Sequence, residues 1–139
     1  MFSTTTIIFS MLLFSSLGSL YSQKINAKSI KKVIFILFLL IIIYSFLLKF
    51  FISNFIALDL ISKIILTSIF IAPLSFLMGF AFPLGVKRIN KKLIPWAWAV
   101  NGSASVLSPI LAIMFALFFG YNFVFVLAGL IYLSGVMFV

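Results

Sequence analysis

Cysteine and histidine are absent from this chain, and carboxylate nearly so: Asp59 is its one acidic residue. Without cysteine there can be no disulfide and no thiolate metal site. Without histidine the side chain that most often titrates near neutrality is missing too. Charged residues of either sign make up 8% of the chain, against the roughly one quarter that a soluble domain carries. A soluble surface cannot be built from so few. In a bilayer the shortage is no defect, because helices satisfy their backbone groups internally and need no polar side chains to do so.

What is present is hydrocarbon and positive charge. The composition is 65% hydrophobic, with nineteen phenylalanines, and the net charge is +9. That charge does not point to nucleic acid, because the basic residues fall between long apolar runs, where membrane topology requires them. The expected surroundings are a lipid bilayer and its anionic headgroups, with no nucleic acid and no cofactor.

The sequence predicts a single transmembrane domain over residues 1–139. It is an all-α integral membrane helical bundle of about five helices, near 4–21, 33–52, 60–84, 95–119 and 123–139. The first segment lacks the positive n-region of a signal peptide and reads as a retained helix. The second, nearly pure Ile, Leu and Phe, offers no small residue for close contact; it suits lipid or a deep bundle interior. Lys49 near its end can snorkel to the headgroups. Asp59 and Lys63 stand four residues apart as an exposed ion pair, worth about 0.3–0.5 kcal/mol. The fifth segment barely spans, since about twenty residues are needed for a 30 Å core. It stops without a polar flank, as a piece of a longer or split protein would.

Charge sets the orientation. The turn after the first segment holds Lys24, Lys28, Lys31 and Lys32, and the turn after the third holds Lys87, Arg88, Lys91 and Lys92. The other two turns hold few or none. By the positive-inside rule the N-terminus is outside and the C-terminus inside. Lysines beside a membrane attract anionic lipid at about 1 kcal/mol each.

The most patterned stretch runs from Ile71 to Ser108, with three of the four prolines and both tryptophans. Pro83 has no N–H for the carbonyl of Gly79, and Gly85 can adopt the left-handed conformation that closes a helix. Pro95 suits the first helical position, and Trp96 and Trp98 the interfacial depth. Small residues recur at helical spacing on both flanking segments: Ser68, Ala72, Ser75, Gly79 and Pro83 on the third, Asn101, Ser105, Ser108, Ala112 and Ala116 on the fourth. Small faces let helices approach closely in lipid. The expectation is that these two stripes meet, with Gly79 near Asn101 or Ser105, Ser75 near Ser105 or Ser108, and Asn101 bonding across the contact.

Three blocks, FSMLLFSSLGSL (Phe9 to Leu20), PLSFLMGFAFPLGVKRI (Pro73 to Ile89) and PWAWAVNGSASVLSPILA (Pro95 to Ala112), resemble the membrane portion of bacterial spermidine-synthase-like multi-pass membrane proteins. The run from Gly120 to Leu133 fits the same pattern. That family joins membrane helices to a soluble Rossmann-like domain related to aminopropyltransferases. The resemblance implies a module of the bacterial inner membrane, with a soluble Rossmann-like catalytic domain or further membrane helices as its partner. The catalytic half does not carry over. Aminopropyl transfer needs carboxylates to hold a polyamine and take its proton, and one carboxylate in an external turn cannot serve.

The leading expectation is therefore a non-catalytic membrane module that anchors or regulates a spermidine-synthase-like partner domain through its basic cytoplasmic turns. A transporter component is the alternative, since Pro73, Pro83 and Pro109 interrupt helices as they do at midplane sites; against it, no ionisable group lies within the spans. A small holin-like pore former ranks third.

Overall fold

The computed structural model describes residues 2–55 and 58–138. Among them every regular element is helical. The helices are α1 (Phe2–Tyr21), α2 (Ile30–Phe55), α3 (Leu60–Val86), α4 (Ile94–Phe119) and α5 (Tyr121–Phe138). Single 3-10 turns at Ser22–Lys24, Ala27–Ser29 and Lys91–Leu93 lie in the connections. Four helices are long and apolar enough to cross a membrane, so the chain is a multi-pass membrane protein. The 18 residues of α5 extend about 27 Å at 1.5 Å per residue, just short of a bilayer core.

Each helix starts and stops for local reasons. Asp59 caps α3, its carboxylate accepting the Ile61 N–H at 3.4 Å. The expected ion pair with Lys63 is not formed: the carboxylate is committed to the helix terminus, where an unpaired N–H and the dipole both favour it. Gly120, at φ 82°, is the one residue with a left-handed φ among those described. It ends α4 by donating its N–H to Ala116 at 3.0 Å. Gly85 does not play that part. α3 runs through Pro83 to Val86, and Lys87 closes it in right-handed geometry, its N–H reaching Pro83 at 3.2 Å. Nor do the prolines interrupt anything: Pro73 and Pro83 lie inside α3 and Pro109 inside α4. Beside the carbonyl that Pro73 leaves without a donor, Phe70 offers its own to the Tyr44 hydroxyl of α2.

The helices stand in the order α1, α3, α2, α5, α4, each against the next. The second helix, for all its lack of small residues, supplies most of the core. Ile30, Ile34, Leu37, Ile41 and Tyr44 are buried, at steps of four, three, four and three, the seam of a coiled-coil-like contact. Phe80 and Leu84 of α3 join Ile30, Val33 and Ile34 in one cluster, with Tyr132 of α5 packed on it. The side chain of Lys49 lies outside the described residues.

The tightest contact joins α1 to α3. A Cβ on Gly18 would collide with the carbonyl oxygen of Phe76, and one on Gly79 with that of Ser15. Ser10 and Ser68 share a 2.8 Å hydrogen bond lower in the same seam. The small stripe of α3 thus meets α1, and the expected α3–α4 pairing is not formed. No residue of α4 is buried. The physical reason lies on both sides. α1 presents Ser15 and Gly18, small enough for backbone contact, and its end is tied to the end of α3. Near the turn, Phe82 and Trp98 meet edge-on with centroids 4.8 Å apart, a bulk that keeps α3 and α4 from closing.

Candidate functional site

The two basic connections, 22–29 and 87–93, lie at one end of the bundle and are built alike. Each carries the pattern Ile-Asn-x-Lys-x-Ile: Ile25, Asn26, Lys28 and Ile30 in the first, Ile89, Asn90, Lys92 and Ile94 in the second. In each the asparagine, in extended geometry, accepts the N–H of the lysine two residues on, at 3.1 Å. Its carbonyl accepts the next N–H, from Ser29 at 2.9 Å and from Leu93 at 2.8 Å. The asparagine is a cap that opens a 3-10 turn leading into the helix. The flanking isoleucines stand at the positions of a hydrophobic staple, which fixes the angle at which chain enters helix. Ile30 belongs to the core cluster and Ile25, partly buried, packs against it. Charge counting passes over this repeat, although it is visible in the letters.

Lys87 ties the two connections together. Its ammonium donates to the carbonyls of Ser22 at 2.8 Å, Gln23 at 3.2 Å and Ile25 at 3.3 Å. Those carbonyls belong to the 3-10 turn that follows α1 and to Ile25 just beyond it, next to the helix end where a cation is favoured by the dipole. One of the eight expected basic-loop residues is therefore a structural clasp. Lys24, Lys28, Lys31, Lys32, Lys91 and Lys92 are exposed around it, and the Lys24 ammonium sits 5.5 Å from the Tyr21 ring centroid. Arg88 lines a crevice beside the turn. Asp59, the one acidic residue, caps the start of α3 at the opposite end from these lysines.

The packing residues divide. Ser68 and Gly79 touch α1, and Ser75 is buried on the same face with no hydrogen-bond partner. Ala72 and Pro83 are half-buried on that stripe. On α4, Asn101, Ser105 and Ser108 are exposed, and Ala112 and Ala116 are half-buried. Ser105 donates to the carbonyl of Asn101 at 2.7 Å within its own helix. The Asn101 amide bonds to nothing among the described residues, in place of the expected bond across to α3.

Among the described residues no group of histidine, cysteine, aspartate or glutamate could hold a metal ion. The arrangement offers a rigid cationic face at the end of an apolar bundle. No protein-family model, no curated protein and no solved structure matches the chain. The likeness to spermidine-synthase-like proteins therefore rests on the quoted blocks alone.

Proposed function

We propose that the chain is a non-catalytic membrane module of the bacterial inner membrane, oriented N-out, whose basic end anchors or regulates a soluble partner domain in the cytoplasm. The observation that carries this reading is the clasp: Lys87 bonds to three carbonyls of the other basic connection. A topology signal needs only charge. Two loops built on one pattern and fixed to each other supply a defined surface as well. A fixed surface lowers the ordering cost of docking, and its field steers an acidic partner face. The resemblance supplies the partner's class, a spermidine-synthase-like Rossmann domain, and the shortage of acid–base side chains leaves catalysis to that domain.

Affinity purification of the tagged chain from detergent tests this. A soluble protein with a Rossmann-like domain should co-purify at physiological salt and be lost when Lys28, Lys31, Lys91 and Lys92 are changed to glutamine. Recovery of no soluble protein, or equal recovery on the variant, would refute the anchoring role.

A further inference from the structure

The repeat in the two basic connections extends into the helices that follow them. With Asn26 set on Asn90, Ile30 falls on Ile94, Ile34 on Trp98, Leu37 on Asn101, Ile41 on Ser105 and Tyr44 on Ser108. The first member of each pair belongs to the buried seam of α2. The second belongs to α4, which has no buried residue. One register serves both helices, and only α2 buries its seam within the chain, against Phe80 and Leu84 of α3 and Tyr132 of α5.

Two positions of the α4 seam carry polar groups with nothing to bond. Asn101 takes the place of Leu37, which is wholly buried, and its amide has no partner among the described residues. Ser108 takes the place of Tyr44, whose hydroxyl donates to the Phe70 carbonyl of α3. The Ser108 hydroxyl has no partner among the described residues either. Their neighbours differ: Ser103 and Ser105 donate to the Ala99 and Asn101 carbonyls of their own helix. Asn101 lies about 10 Å inward from the start of α4, at 1.5 Å per residue, and Ser108 about 10 Å further on. In hydrocarbon an unpaired amide or hydroxyl is costly, with no water to answer it.

We infer that this face of α4 binds the same face of a second copy, as a parallel pair of α4 helices about a two-fold axis along the membrane normal. Hydrogen-bond complementarity selects this occupant. An amide and a hydroxyl each both donate and accept, so each can pair with its own image. A second copy inserted in the same orientation presents Asn101 to Asn101 and Ser108 to Ser108 at matched depth, as a self-complementary interface requires. A lipid carries its polar atoms near the headgroup, so one lipid cannot answer groups two helical turns apart. A foreign helix would need polar residues at both depths. Ser105, between the two, is small enough for backbones to approach. Trp98, the bulkiest member of the seam, is turned onto Phe82 of its own chain. The exposed lysines of the turn stand in water, where salt screens their repulsion within about 8 Å. The pairing does not depend on a soluble domain at the basic end.

The purified full chain in phosphatidylcholine vesicles tests the assignment. The chain has no cysteine, so single cysteines report on the contact. Ser108→Cys should oxidise readily to a disulfide-linked dimer. Ser103→Cys, on the opposite side of α4 and nearer the oxidant, should link far more slowly. Energy transfer between donor- and acceptor-labelled chains should show dimers without any cross-link. Asn101→Leu should raise their dissociation constant about tenfold, the scale of a polar contact between membrane helices. Gly102→Ala, about a quarter turn away, should leave it unchanged, and circular dichroism should show full helicity for every variant. Chains that stay monomeric in the vesicles would overturn the assignment. Equal linking at positions 103 and 108, or dimers indifferent to Asn101→Leu, would overturn it as well.

Discussion

Gly79 of α3 lies against the backbone of Ser15 of α1, so close that a Cβ would collide with the Ser15 carbonyl oxygen. Gly18 stands in the same relation to Phe76, three residues before Gly79. The contact is reciprocal, as expected where two parallel helices cross at their smallest residues. In lipid such a crossing gains packing and weak C–H···O contacts, since apolar burial supplies no drive there.

The first prediction follows from that collision. Gly18→Ala and Gly79→Ala should each destabilise the bundle by about 1–3 kcal/mol, the usual range for overpacking. Gly102→Ala, where nothing lies within 4 Å, should be neutral or stabilise by about 0.4–1 kcal/mol through helix propensity. Unfolding midpoints in a detergent titration measure all three. Equal midpoints for the Gly79 and Gly102 variants would break the crossing argument.

The absence of cysteine makes a clean cross-linking experiment possible. Ser10→Cys with Ser68→Cys should form a disulfide readily, because the two hydroxyls are 2.8 Å apart. Ser75→Cys with Ser108→Cys should not, because Ser75 is buried while Ser108 is exposed on a helix that leaves α3 after the turn. Efficient linking of the second pair would restore the α3–α4 interface.

These two experiments bear on what the letters could and could not say. Apolar runs and charged gaps gave all five helices to within a few residues. The four-three steps from Ile30 to Tyr44 mark the buried seam of α2, but the helix is apolar on nearly every side, so the letters do not set that seam apart. Choice of partner was not legible. The stripe from Ser68 to Gly79 says that some backbone comes close, and α1 and α4 both carry small residues to answer it. Proximity in sequence favoured α4; the clasp at the chain-distant end of α1 decided otherwise. Lys87 likewise looks the same in sequence as Lys91, and only three-dimensional closeness to Ser22 separates them.

Orientation supplies the third prediction. Both basic connections lie at one end of the bundle, and the positive-inside rule assigns that end to the cytoplasm. A phosphatase or fluorescent reporter fused after Lys92 should report a cytoplasmic position, and one fused after Asn54 an external one. The reverse result at both sites would invert the assembly and remove the basic end from the compartment of any cytoplasmic partner.

The last prediction separates the clasp from its neighbours. Lys87 donates to three carbonyls, while Lys91 and Lys92 are exposed and accept no such task. Lys87→Met keeps the length and the apolar stem but removes the ammonium from the Gln23 and Ile25 carbonyls and leaves the Ser22 carbonyl with the Ile25 N–H. Hydrogen bonds to a charged group contribute about 1.5–3 kcal/mol, and partial access to water lowers the share realised here. A loss of about 1–2 kcal/mol is expected on that basis. Lys91→Met and Lys92→Met should each stay within about 0.5 kcal/mol, as surface changes do. Stability alone would not distinguish a clasp from any other contact, so a second measurement is needed: proteolysis within 22–29. This stretch is remote from position 87 in sequence but held by it in space. Cleavage there should accelerate in Lys87→Met and stay at the parental rate in Lys92→Met. Arginine in place of Lys87 retains charge and donors but is longer and planar, so it should restore part of the protection. If cleavage is the same for all variants, the two connections are not held together by Lys87, and the rigid basic face loses its foundation.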